Sequence, residues 1–440
     1  MTRSKMWKRA KEMADKTPTE RNRYVDLLRA VSISAVVLGH WIMAAPYFEQ
    51  GSPHMVHLLE IQPWSRWLTW VFQVMPIFFF VGGFSNGVSW DSLRRRNGTY
   101  SSWLESRLRR LLGPVIPLIL LWCVLGAAGN FLGVHPEMIG IGSQVSLIPV
   151  WFLAIYFFIV MLVPWTRRAW HRFGYASVIV PALLAVLGDW VFFYFNFKWL
   201  AWFNFLFIWS AVHQLGYAWQ AKRLGGLTIS LSMAIAGAAA LVSLTVFGPY
   251  PLSLVGVPGQ EISNTSPPKL PILALAIAQI GILLSLEGPM RKWLAGGKAW
   301  TATVLVNGII MPVYLWHSTV MILIIGGLFL IAPGLLGAQP GSEHWWMMRP
   351  VWVLVYFVAM IMLLPVFLWL EKASGTTRPR STPTPAIILG AAAICLGLAL
   401  LAGSGIAGDG PLGLNFIACL LPIGGAVLIT VLGKAKANGD

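Results

Sequence analysis

The chain has 440 residues, 57% of them hydrophobic and 11% charged, with a formal net charge of +16. A charged fraction so far below the roughly 25% of soluble domains excludes the two or three soluble domains that length alone would suggest. The positive charge sits between apolar runs, which sets nucleic acid aside as a partner and points to a lipid bilayer.

The N-terminal segment, 1–23, is basic and polar and lacks the short apolar core of a cleavable signal peptide. Within it Lys5 to Lys16 fits a basic amphipathic helix with Met6, Ala10, Met13 and Ala14 on one side, either a surface-lying anchor or a solvated tail. Apolar runs long enough to cross a core of roughly 30 Å follow at about 24–45, 67–90, 111–133, 148–165, 177–195, 199–219, 227–247, 270–288, 300–331, 347–371, 385–403 and 413–433. The expectation is an all-α polytopic membrane bundle of about twelve transmembrane helices. Ten of them form a body over 24–371, a cytoplasmic linker covers 372–384, and a two-helix appendix fills 385–440.

With the N-terminus inside, 28 of the 32 Lys and Arg fall on inner segments, leaving Arg66, Lys198, Lys269 and Arg349 outside. This bias fits the positive-inside rule and puts both termini in the cytoplasm. No outer segment is long enough for a folded domain, so any chemistry must come from membrane helices and short loops. Cys123, Cys395 and Cys419 lie inside apolar spans and read as packing residues. The eight His are scattered without metal-ligand spacing, so no metal is expected.

In the first span Arg29 and His40 are eleven residues apart, close to three turns, so they share a face with a rise of about 16 Å. That places Arg29 at the inner boundary and His40 near mid-membrane, with Asp26 in pairing range of Arg29. An ionisable group deep in a span faces the bundle interior or a wet cavity, although a lone His is equally often a hydrogen-bonded packing residue.

Tyr24-Val25-Asp26-Leu27-Leu28-Arg29 followed by Gly39-His40 resembles the opening of the acyltransferase type 3 family of membrane acyltransferases. Phe78-Phe79-Phe80-Val81-Gly82-Gly83-Phe84, Arg107-Leu108-Arg109-Arg110, Trp151-Phe152-Leu153 and Tyr314-Leu315-Trp316-His317 are similar to four further motifs of that family, in the same order. Gly82 stands where the family has Ser, so that Ser's role is not transferred. The resemblance covers about residues 20–371.

It implies acyl-CoA as co-substrate, with no permanently bound cofactor, and a hydroxyl acceptor on a carbohydrate, glycolipid or other envelope molecule. Arg107 and Arg110 would grip the donor's phosphates through their planar forks, or else they are ordinary inner-side charges. His40 would be the general base or a transient acyl carrier, with Asp26 or Arg29 positioning the donor or orienting the inner end of the helix. Tyr314, His317, Asn307 and Trp151 are substrate or oxyanion candidates; interhelical hydrogen bonding is their plainer reading. The rival function is a transporter or exporter of a polysaccharide or lipid intermediate on the same scaffold. Asn204, Trp209, His213 and Gln214 in the sixth span, and Asp189, Glu137, Glu261 and Lys198 toward the outside, are weaker polar sites. Asn264-Thr265-Ser266 matches a glycosylation sequon.

Overall fold

A computed structural model of the chain describes residues 3–18, 20–49, 52–374 and 382–431. In chain order α1 is Arg3–Asp15 and α2 is Arg23–Met43. A two-stranded hairpin, β1 (Ala44–Glu49) and β2 (Ser52–His57), leads into the short α3 (Leu58–Ile61) and α4 (Thr69–Phe72). The longer helices follow: α5 (Met75–Arg95), α6 (Tyr100–Leu112), α7 (Val115–Phe131), α8 (Pro136–Met161), α9 (Val163–Phe173), α10 (Ala176–Phe195) and α11 (Asn204–Gln220). The remainder are α12 (Leu227–Val242), α13 (Leu270–Ala295), α14 (Gly297–Ile331), α15 (Glu343–Ser374), α16 (Thr384–Ser404) and α17 (Phe416–Val431).

Each expected span is occupied by helix, and the fold is an all-α polytopic membrane bundle. Among the described residues nine helices are long and apolar enough to cross a membrane, and α6 with α7, bent by 42°, makes a tenth if taken as one span. The other two expected spans are shorter helices, α11 with 17 residues and α17 with 16. Described residues end with α17, and the linker residues 375–381 and the tail 432–440 lie outside them.

The segment after the first span departs from expectation. Helix α2 starts at the N-cap Asn22, whose side chain accepts from the Tyr24 and Val25 amides. It stops at Met43, where Pro46 removes a donor and restricts the residue before it. The chain then makes the hairpin instead of an irregular loop, with the Tyr47 and His54 rings stacked at 4.8 Å.

Contacts group the chain into two compact units, 1–45 with 55–89 and 165–310, and 46–54 with 90–164 and 311–440. In the first unit α5 crosses α11 with almost no gap: a Cβ on Gly83 would lie 1.8 Å from the His213 carbonyl oxygen. Phe79 stacks on Trp209 at 4.3 Å and Phe80 on Trp219 at 5.0 Å around that crossing. Much of the Phe78–Phe84 motif is therefore the sequence of a tight helix contact. The long connection between α12 and α13 is packed down by hydrogen bonds from Trp70 and Gln73 to the Leu252 and Leu254 carbonyls.

In the second unit α16 runs along α8. Gln144 donates to the Gly403 carbonyl at 2.7 Å, and the Ile406 amide donates to the Ser143 hydroxyl at 3.0 Å. Gly405 has φ +69°, and a Cβ there would meet Ser143 Oγ at 2.5 Å. The C-terminal helices are thus packed into the same unit as α6, α7 and α8.

Candidate functional site

The sequence-selected residues divide between the two units: Asp26, Arg29, His40 and Asn307 in the first, Arg107, Arg110, Trp151, Tyr314 and His317 in the second.

In the first unit Arg29 and His40 are both half-buried on α2. At about 1.5 Å per residue they stand about 9 and 26 Å from the helix start. His40 belongs to the last turn of α2, which ends at Met43, and lies about 16 Å along the helix from Arg29. His57, at the end of β2, is close enough to act on His40 electrostatically. Burial pulls His57 down to about 4. Its Nδ1 accepts from the Leu59 amide at 3.4 Å, so the ring is neutral with its proton on Nε2. Nothing in the sequence pattern singled out His57.

Asp26 is 5% exposed, and Arg21 grips its carboxylate through two bonds, of 2.6 and 3.0 Å. Hydrogen bonding to Asp26 raises the pKa of Arg21. Arg29 lies one turn further along α2, and Arg21 reaches the carboxylate from the turn that precedes the helix. Asn307 gives its amide hydrogens to the Asp26 carbonyl at 2.9 Å and to the Thr303 carbonyl at 2.9 Å.

In the second unit Arg107 lies 5.6 Å over the Trp103 ring and is half-buried, while Arg110 is exposed. Between them Arg109 is committed to Glu105, a buried carboxylate at 2.9 Å. Glu371 is within electrostatic reach of Arg110, so a phosphate at Arg110 meets an internal competitor.

Tyr314 is buried and its hydroxyl donates to the Pro149 carbonyl at 2.8 Å. Its ring takes the edge of Phe152, next to half-buried Trp151, at 6.2 Å. His317 donates Nδ1–H to the Tyr314 carbonyl at 2.6 Å, since a carbonyl only accepts. That leaves Nε2 facing the Ser318 hydroxyl at 3.2 Å. Tyr314 and Asn307 have therefore already placed their donors on main-chain carbonyls, as interhelical bonds do.

Most of the weaker polar residues have protein partners. His213 is fully buried and Asn86 donates to its Nε2 at 3.2 Å. Asp189 is fully buried and accepts from Asn204, Tyr250 and the Leu270 amide, at 2.8, 2.9 and 2.8 Å. Lys198 and Glu261 pair on the surface at 2.8 Å, and Glu137 is exposed in the first turn of α8. Asn264 is fully buried and its amide serves the Pro251 and Ser253 carbonyls, which closes the sequon to a glycan.

A family model described as an acyltransferase domain matches residues 22–371, from the N-cap of α2 to the last turns of α15. Neither a curated relative nor a solved structure matches the chain.

Proposed function

This chain belongs to the acyltransferase type 3 family, and from that membership we propose that it transfers an acyl group from acyl-CoA to a hydroxyl of a cell-envelope carbohydrate or glycolipid. Acetyl is the proposed group. The observation that carries the reading is the match over 22–371, which includes Asp26, Arg29, His40, Arg107 and Arg110.

In the first unit His40 takes the proton of the acceptor hydroxyl as its oxygen attacks the thioester carbon. The tetrahedral intermediate expels the CoA thiolate, which takes up that proton from the imidazolium. In the alternative route the imidazole itself attacks and expels the CoA thiolate, and the acceptor oxygen then displaces the imidazole from the acyl-imidazole, its hydroxyl proton passing to the released ring. Arg21 holds Asp26 beside the start of α2, and Arg29 lies between that pair and His40 along the helix. In the second unit Arg107 and Arg110 meet the donor's phosphates. The proposed orientation keeps both termini in the cytoplasm, with 28 of 32 Lys and Arg on that side. The transport reading gains no observation of its own.

The test is a comparison of envelope glycans and lipids, by mass spectrometry, from strains with and without the gene. The reading expects one component to lose an acyl increment and to regain it on complementation. Identical acylation in both strains overturns it.

A further inference from the structure

No step of acyl transfer calls on α1, yet the fold holds it firmly. Ala10 and Ala14 are 3% and 5% exposed. The Trp300 indole donates toward the Ala14 carbonyl and the Thr17 hydroxyl, both at 3.3 Å. Arg23 lies 5.0 Å over the same indole and donates to the Leu294 carbonyl at 3.0 Å. Trp300 is in the first turn of α14, Arg23 opens α2, and Leu294 is in the last turn of α13. Helix α1 is therefore tied to a corner where three apolar helices end. Such helices leave the hydrocarbon toward their ends, and Arg291, Lys292 and Lys298 at this corner suit the headgroup level.

What α1 turns away from the body suits that level. Trp7 is 40% exposed and Met13 47%. Lys8, Arg9, Lys11 and Lys16 are exposed beside them, with Glu12 and Asp15 as the exposed acids. Apolar side chains flanked by long basic ones are what a helix needs to lie in the headgroup layer, its stems on acyl chains and its charges on phosphates. We infer that α1 is a lipid-reading surface that binds anionic phospholipid headgroups at the membrane interface. The sequence alone left an anchor and a solvated tail equally open; the docking through Ala10, Ala14 and Trp300 favours the anchor.

The full chain, with a fluorescent amino acid in place of Met13, is placed in nanodiscs of equal phosphatidylcholine and phosphatidylglycerol, with a nitroxide quencher on one lipid or the other. Each Lys or Arg near an anionic surface is worth about fivefold in preference. Quenching by labelled phosphatidylglycerol should therefore exceed that by labelled phosphatidylcholine several-fold. The combined change Lys8→Gln, Arg9→Gln, Lys11→Gln and Lys16→Gln should bring the two to equality. Equal quenching in the natural chain, quenching by neither lipid, or a preference that survives the four substitutions would each overturn the inference. So would loss of the preference on adding soluble glycerol phosphate, which would assign the surface to a soluble anion.

Discussion

Acid should weaken this protein through His57. Burial holds the folded-state pKa at about 4, against an ordinary value of 6.5. Above pH 6.5 neither folded nor unfolded chain carries the proton, and the group has no effect on stability. Between 6.5 and 4 the unfolded chain binds a proton that the folded chain refuses, so unfolding becomes easier as pH falls. The slope is about 1.4 kcal/mol per pH unit, approaching about 3 kcal/mol by pH 4 and flat below it. His57→Asn removes the titration while keeping a short acceptor for the Leu59 amide, Asn being a favoured N-cap. The assay is thermal unfolding of the detergent-solubilised chain and the variant from pH 7.5 to 4. The two curves should agree near neutral pH and diverge on acidification, the natural chain falling faster. Parallel curves throughout would refute the argument that His57 is buried neutral. The same proton would place a charge near His40, so transfer should also fail earlier in acid for the natural chain than for the variant.

Arg107→Ala should weaken acyl-CoA binding about 10- to 150-fold, the range for a charge-assisted contact, measured against a dephosphorylated analogue. Arg110→Ala should do less, because Glu371 already offsets its charge. Gly83→Leu should prevent accumulation of folded protein, read by fluorescence-detected gel filtration, since even a Cβ would overlap the His213 carbonyl. Reporter fusions after Thr99, Arg172 and Gly296 should report inside and those near Gly142, Gly259 and Gly341 outside; an outside signal after Gly296 would break the proposed orientation.

Where the sequence was legible, physics left few alternatives. Apolar runs of bilayer length have to be helices, since lipid offers no partner for free backbone groups, and among the described residues helix occupies most of each expected span. The order of five motifs along α2, α5, α6, α8 and α14 was also readable, because it depends on residue identity alone. What escaped depends on where the chain turns. Helical spacing put Arg29 in range of Asp26; Arg21 reaches the same carboxylate from a turn that no periodicity announces. The end of α2, just past His40, is set by Pro46 and the hairpin beyond. That hairpin, Ala44 to His57, contains two prolines and no clean alternation, so it reads as loop. With it went His57. Asn307 bonds to Asp26 and Tyr314 to Pro149, and neither partner is deducible from a one-dimensional pattern.

The central claim is that His40 does the chemistry, and His40→Ala tests it most directly. The variant is assayed for transfer in membranes beside His171→Ala, an exposed His on α9, with insertion checked by gel filtration. The account predicts normal insertion and a loss of about 10²- to 10⁴-fold if His40 is the base. The loss should be larger, with an acyl adduct trapped on the natural protein, if His40 carries the acyl group. Near-full transfer by inserted His40→Ala protein would contradict the account and move the search for the base to His317.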